Sequence, residues 1–594
     1  MRTARRPVRW RRRAVAAAGA LLLGASLMTA TAATAADDPR VDLPPGYLGA
    51  ETATSNIELL ASLPRVAPFD AAPGNFGFVN SDLAFTGDHA IVGNFNGFQV
   101  YDVSDAAAPT LRASFVCPGG QGDVSVFGDL LFMSVEESRG RIDCGSEPIV
   151  DPVTERFRGV RIFDISDIDN PVQLPGVQTC RGSHTHTLVT DPNDPENIYI
   201  YNSGTSGVRS ALELADCSNG GPTTENPTLW RIDVIKVPLA APETAAIVSQ
   251  PRIFADPETG AVNGLQNGPT QPRHPSGGFY SPNPNTNTCH DITAFPEIGL
   301  AAGACQGNGI LLDISDPANP VRIDAAADPN YSYWHSATFN NDGTKVVFTD
   351  EWGGGTAARC RVTDQPEWGA NALFDIVDGK LEFRSYYKLP VPQTSQENCV
   401  AHNGSIVPVP GRDIMVQAWN QGGLSVIDFT DTANPTEIAY LDRGPINSPN
   451  PTGLNLGGYW STYWYNGNVL ASEIARGFES LAFTASDQLS VNEIAAAGEI
   501  ELAEFNAQLQ TKLVHAPSFA VARSYVDQAA RDGSLAGNAL KQVQKSIDQA
   551  EKLSAGPASG SAIAAHLADA ARTSGAGADS GLVQSLNALT GTFG

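Results

Sequence analysis

Between residues 80 and 483 the chain is written in short apolar runs with period-two alternation, such as Ala90-Ile-Val92 and Phe98-Gln-Val-Tyr101, broken every few residues by Gly and Asp. Runs of that length and period predict short antiparallel strands. One word recurs among them. It reads Gly97-Phe-Gln-Val-Tyr-Asp-Val-Ser-Asp105 closed by Pro109, Gly159-Val-Arg-Ile-Phe-Asp-Ile-Ser-Asp-Ile-Asp-Asn-Pro171, Gly309-Ile-Leu-Leu-Asp-Ile-Ser-Asp-Pro-Ala-Asn-Pro320 and Gly423-Leu-Ser-Val-Ile-Asp-Phe-Thr-Asp-Thr-Ala-Asn-Pro435. The glycine admits the chain to a strand, the alternating run packs on both faces, and the Asp and Ser side chains cap a turn. The proline opens the outer strand, where its missing donor does no harm. These Asp residues are therefore read as turn formers rather than calcium ligands.

A supersecondary unit repeated at such intervals predicts stacked blades rather than one continuous fold. Counting inner and outer strands gives seven, at 80–115, 123–177, 184–254, 290–325, 335–389, 402–442 and 459–483. A strand-like segment at 57–68 has no partner nearby in sequence and is expected to complete the seventh blade. After Phe483 the period changes. Ser490-Val-Asn-Glu493 is a capping box that predicts a helix to about residue 513, and helical patterns follow at 519–530, 536–554 and 562–572. The expected organisation is mainly β: a signal peptide at 1–35, a linker at 36–55, a seven-bladed β-propeller at 56–486, and a small helical domain at 487–594 on a flexible connection.

The recurring words resemble the LVIVD repeat, over roughly residues 80–485. That resemblance implies a β-propeller of the kind found in exported or cell-surface proteins of bacteria and archaea. It implies no particular reaction.

The N-terminus has an Arg-rich start, an apolar run from Ala14 to Leu27, and an A-x-A site at Ala33-Thr-Ala35, the pattern of a secretory leader. The Arg11-Arg-Arg13 cluster leaves a twin-arginine route open. The formal charge is −26, and removal of seven leader arginines takes it to about −33, which repels phosphate backbones and anionic lipid. Nucleic acid is excluded as a partner. No stretch after the leader predicts a membrane-spanning helix, and a secreted monomer is expected. In an oxidising compartment the eight cysteines read as disulfides. Sequential pairing is the most economical choice.

Four of the nine histidines open successive blades with a common word, His-x-x-Thr/Ser: His184-Thr-His-Thr187, His290-Asp-Ile-Thr293, His335-Ser-Ala-Thr338 and His402-Asn-Gly-Ser405. Inner strands start beside the propeller axis, so equivalent positions converge. Neutral imidazoles around an open position suit a divalent transition metal such as Zn, Cu, Fe or Mn. The layout is similar to the axial histidines that hold iron in carotenoid-cleaving oxygenase propellers, an analogy of architecture alone. The competing reading makes each histidine a structural tie to a neighbouring blade. His186 is an alternative to His184, two residues away. Glu136 and Glu137, Asp350-Glu351-Trp352, Trp419-Asn420, and Glu473 with Arg476 stand near the ends of second strands, as orienting partners of the imidazoles or blade-to-blade ion pairs, and Glu351, Glu473 and Arg476 are the candidate catalytic groups. Tyr459, Trp460, Trp464, Trp334 and Trp352 are candidates to line a pocket at the same mouth, or to pack between blades. The functions in view are a metal-containing protein recognising a small molecule or surface ligand, a metal-dependent oxidoreductase, and a metal-free adhesion scaffold.

Overall fold

The computed structural model describes residues 38–70, 76–265 and 286–593. The leader at 1–35 and His274 lie outside them. Seven antiparallel sheets form a propeller. Their inner strands are Asn80–Thr86, Val124–Phe127, Thr187–Val189, Asp291–Phe295, Trp334–Phe339, Gly404–Val407 and Tyr459–Tyr465. Inner strands are buried on both faces, as Asp291–Phe295 is at every position. An outermost strand such as Thr110–Val116 alternates between exposed and half-buried positions, which is the period seen in its sequence.

The recurring word is the third strand of its blade, as in Gly97–Asp102. Its glycine is obligatory there. Gly97 has φ of 145°, and a Cβ on it would stand 1.9 Å from the carbonyl oxygen of Phe115 in the outer strand. The aspartates make the expected turns: Asp102 Oδ1 accepts from the Ser104 amide at 3.0 Å, Asp313 Oδ1 from Ser315 at 2.9 Å and Asp428 Oδ1 from Thr430 at 2.9 Å. In blade three the third strand is Asp233–Pro238, so the tetrapeptide Trp230-Arg-Ile-Asp233 leads into the strand and shares only its last residue with it.

Ile57–Pro64 closes the ring. It pairs antiparallel with Gly477–Phe483, from Ile57 opposite Phe483 to Pro64 opposite Gly477, and supplies the outer strand of blade seven. The preceding stretch is packed as well. Thr52–Ser55 adds a fifth strand to blade six beside Thr436–Arg443. Arg40 lies 3.7 Å from the centroid of the Tyr440 ring and pairs with Glu437 at 2.9 Å.

The disulfides are sequential: Cys117–Cys144, Cys180–Cys217, Cys289–Cys305 and Cys360–Cys399. Cys117, Cys180, Cys289 and Cys399 each lie a few residues before an inner strand, so the bridges anchor the connections that enter the channel mouth. Among the described residues no helix is long and apolar enough to cross a membrane.

The capping box at Ser490 and Glu493 is formed, but helix α1 (Val491–Ala497) stops at Gly498. The helix expected to reach residue 513 is replaced by an extended strap. Glu504–Asn506 pairs with the inner strand of blade one, and Gln508 and Gln510 continue past Ala294 in blade four. The free inner edges of the blades offer unpaired backbone groups, and pairing with them overrides the local helical preference. Helices α2 (Phe519–Arg531), α3 (Gly537–Ser554), α4 (Gly560–Ser574) and α5 (Gly581–Gly591) then pack around Val526, Val543, Ile547, Leu567 and Leu586. The last of them was not apparent in the sequence. The bundle is held to blade six through buried Glu493, which takes Arg412 at 2.8 Å on one side and Arg531 on the other.

One buried carboxyl makes the propeller sensitive to pH. Asp442 sits in the blade-six strand Thr436–Arg443, accepting from Gln393 Nε2 and from the Arg443 amide, both at 2.7 Å. Burial, then repulsion from Glu397, pushes its pKa from 3.8 up to about 8. The folded state therefore keeps a proton that the unfolded chain has lost, and stability falls as pH rises from about 4 to about 8, with a slope of up to ~1.4 kcal/mol per pH unit from this group. Asp442→Asn is neutral throughout and is expected to flatten that part of the profile. Denaturation midpoints at pH 5, 6, 7 and 8 measure it; identical slopes in both proteins would refute the assignment.

Candidate functional site

The connections entering four inner strands bring four imidazoles to one end of the channel. His290 immediately precedes Asp291–Phe295, and His335 is the second residue of Trp334–Phe339. His184 and His402 come just before Thr187–Val189 and Gly404–Val407. The rings stand in a row, with centroids 4.3 Å apart from His184 to His290, 3.9 Å from His290 to His335, and 4.3 Å from His335 to His402.

The shared word His-x-x-Thr/Ser divides its labour. The hydroxyl three residues on makes the tie between blades: Thr187 Oγ1 donates to the Ile292 carbonyl at 2.5 Å, Thr293 Oγ1 to that of Ala337 at 2.7 Å, and Ser405 Oγ accepts from the Trp464 amide at 2.8 Å. Structural stapling thus belongs chiefly to Thr and Ser.

Two of the rings are oriented by a hydrogen bond at Nδ1, His290 to Asp291 Oδ1 at 2.9 Å and His402 to the Trp460 carbonyl at 2.5 Å. His184 Nδ1 stands 2.9 Å from Glu136 Oε1 as an ion-pair contact. An acceptor at Nδ1 fixes the proton there and leaves Nε2 with a lone pair. His184 Nε2 and His290 Nε2 then face each other at 2.7 Å, the distance of a hydrogen bond in which one nitrogen carries the proton and the other the lone pair. His335 Nε2 is buried without a hydrogen bond. Glu351 lies across from the row, Oε1 at 3.5 Å from His402 Nε2 and Oε2 at 3.8 Å from His335 Nε2. Ligand atoms of His290, His335 and Glu351 all lie within 4.8 Å of one another, the one such group of three among the described residues.

Burial disfavours charge on these rings, and the partners decide the outcome. For His184 the field and hydrogen bond of Glu136 outweigh burial, and its pKa is pushed up to about 9. His335 has no such partner, so burial and then His290 and His402 hold it well below the usual value, as a neutral donor.

His184, His290 and His402 line a cavity of about 350 Å³, together with Glu136, Tyr333 and Glu351. Its apolar lining is Val79, Phe95, Leu456, Trp460 and Ile474, and Phe95 and Trp460 meet edge to face with centroids 6.1 Å apart.

Other candidates from the sequence go elsewhere. His186 is clamped between Ser125 Oγ at 2.6 Å and Ser134 Oγ at 2.8 Å, and burial lowers its pKa to about 3. Both its nitrogens are occupied in the wall of blade two. Glu473 accepts from the Gly458 and Ala475 amides at 2.6 Å and pairs with Arg476 at 3.1 Å. Arg476 also donates to Tyr47 O at 2.6 Å and to Gly46 and Gly444 O at 3.1 Å, so this pair locks blade seven to the N-terminal stretch. Trp334, Trp352 and Trp464 are buried in or between blades, and Tyr459 bonds Glu479 at 2.6 Å. Of the aromatic set, Trp460 alone lines the cavity. Sequence reasoning missed Asp291, directly after His290, and Tyr333, whose ring stands 5.8 Å from that of His290. Both were adjacent to words already singled out.

Comparison with solved structures finds a protein of unknown function from Desulfotomaculum acetoxidans DSM 771 at 11% identity and TM-score 0.36, covering 62% of this chain and 89% of that one. A protein from Lactobacillus plantarum matches at 11% identity and TM-score 0.37, covering 61% of this chain and 82% of that one. No curated protein matches. The LVIVD repeat family model matches residues 80–116, the four strands of blade one from first to last, and the chain is a seven-bladed propeller carrying that repeat.

Proposed function

We propose that this chain is an exported propeller that holds a divalent transition metal ion at its channel mouth through His184, His290, His335 and His402, with Glu351 beside them, and offers it to a small-molecule or surface ligand. The observation that carries the reading is the convergence of His290, His335 and Glu351, whose ligand atoms all lie within 4.8 Å of one another. Four disulfides suit an oxidising compartment outside the cell.

Zn, Cu, Fe and Mn are all compatible with imidazole and carboxylate donors, and such an ion supplies Lewis acidity or, for Cu, Fe and Mn, redox chemistry. The chain's own groups do the rest. Glu136, Asp291 and the Trp460 carbonyl orient the rings, and Glu351 accepts a proton or completes the ligand set. A metal-dependent oxidoreductase is the second reading, favoured by the cavity over the histidine row. Within it Glu351 is the candidate catalytic group, whereas Glu473 and Arg476 are committed to structural contacts.

Elemental analysis of the tag-free protein after reconstitution and dialysis tests the proposal. One equivalent of metal is expected, and none would leave the metal-free scaffold as the better reading. Uptake is also expected to depend on pH. Because His184 holds its proton up to about pH 9, an ion must displace it below that value. Apparent affinity should rise about tenfold per pH unit for each proton released and level off near pH 9. Metal titrations at pH 6, 7 and 8 check the slope, and a pH-independent affinity would exclude His184 as a ligand.

A further inference from the structure

We propose that the cavity over the histidine row selects a neutral, flat, largely apolar molecule that turns one oxygen or nitrogen donor toward the row, and that Trp460 is the residue that sets its orientation. The donor contact rests on the metal reading above; the selection by the apolar wall does not.

The lining of the cavity is of two kinds. Three imidazoles and the carboxylates of Glu136 and Glu351 make up one part, and an apolar surface of Val79, Phe95, Trp460 and Ile474, packed together, with Leu456, makes up the other. Its polar groups elsewhere, such as Gln121, Asn398 and Thr356, are neutral, and no lysine or arginine lines it among the described residues. Without a bound ion, an anionic ligand would therefore meet two carboxylates and no side-chain cation except an imidazolium, a poor setting for a phosphate, sulfonate or acidic sugar. A volume of about 350 Å³ sits at the small end of the ~300–1,000 Å³ typical of small-molecule sites. It suits one or two fused rings.

Trp460 joins the two parts. Its carbonyl fixes His402 Nδ1 at 2.5 Å, while its ring stands 5.2 Å from the His402 ring and edge to face with Phe95. In sequence it occupies the place where the preceding blades carry histidine. Blade seven thus trades a donor for an aromatic face, which leaves one side of the row open to a flat ligand held against apolar surface. The side chain acts on the ligand and the backbone on the histidine, so the two roles can be separated by substitution.

The test is calorimetric titration of the full secreted chain, metal-loaded and metal-stripped, with 2-naphthol and with 2-naphthalenesulfonate, which share a ring system and differ in charge. In stripped protein the naphthol is expected to bind at one site, at least about tenfold tighter than the sulfonate. Trp460→Ala should weaken naphthol binding to stripped protein by about tenfold or more, and Trp460→Phe should recover most of the loss. Phe95→Leu is a second probe of the same wall, should Trp460→Ala fold poorly, and is expected to weaken binding several-fold. Equal affinity of stripped protein for the two probes, or naphthol binding indifferent to both Trp460→Ala and Phe95→Leu, would overturn the proposal. The metal reading fails separately. If naphthol binds loaded and stripped protein alike and Trp460→Ala still weakens it, the selection by the apolar wall is upheld and the donor contact is lost.

Discussion

Replacing His290 and His335 together with alanine is expected to abolish stoichiometric metal binding and leave the propeller folded. The two rings are the centre of the row, 3.9 Å apart, and both belong to the group with Glu351. Loss of a mere orienting partner typically costs about 10–100-fold in metal affinity, so loss of two ligands should exceed ~100-fold. The fold loses less with His335, which is neutral and whose Nε2 makes no hydrogen bond, than with His290, whose nitrogens face His184 and buried Asp291, although the tie to the next blade is made by Thr293. In stripped protein the thermal midpoint of the variant should therefore lie somewhat below that of the wild type, and the metal-induced shift, not the midpoint itself, is the readout. Excess metal should raise the wild-type midpoint alone, by an amount worth about 2.7 kcal/mol at a hundred times Kd. His186→Ala is the informative contrast. It removes a ring bonded at both nitrogens, so it should destabilise the fold and leave metal content unchanged. A double variant that retained one equivalent of metal would sink the assignment, as would a His186→Ala that lost it.

The histidines were legible because the repeat acts as a ruler. Four rings scattered over more than two hundred residues become equivalent once each is seen to open a blade. The same ruler does not say what lies opposite them. Glu136 and Glu351 follow second strands, and their approach to His184 and His402 depends on how blades two and five lean toward the axis. Glu473 follows a second strand in the same way, yet Gly458, Ala475 and Arg476 consume its oxygens. Position in the repeat placed all three carboxylates alike, and only packing separates them. Closure of the ring by Ile57–Pro64 could be read because an unpaired strand must find an edge. The strap could not. Its residues follow a true capping box and are rich in Ala, Glu and Leu, and nothing local announces that inner edges 171 to 426 residues away are waiting for them.

That strap is where the second large effect is expected. Asn506 and Gln510 each turn a side-chain amide onto the backbone of an inner strand, as a neighbouring strand would. Asn506 Oδ1 accepts from the Val126 amide at 2.7 Å and its Nδ2 donates to the Val126 carbonyl at 2.8 Å. Gln510 does the same to Phe339, at 2.7 and 3.0 Å. Between them Gln508 Nε2 donates to buried Asp82 at 3.0 Å. These contacts lie toward the ends of the inner strands, away from the histidines at their beginnings. The Asn506→Ala/Gln510→Ala variant leaves backbone groups of Val126 and Phe339 without partners. At ~1–3 kcal/mol for each unsatisfied buried group, the four groups should cost about 4–12 kcal/mol, less where water from the channel reaches them, a large share of a typical ~5–15 kcal/mol. The chemical denaturation midpoint should fall accordingly, and hydrogen exchange should speed up at the amides of Val126 and Phe339 before it does in the outer strands. The helical bundle has its own core and should keep its protection. Lys512→Ala, which removes only the exposed ion pair with Asp342, should cost less than about 1 kcal/mol. Unchanged exchange at Val126 and Phe339 in the double variant would mean that the strap lies on the channel without supporting it.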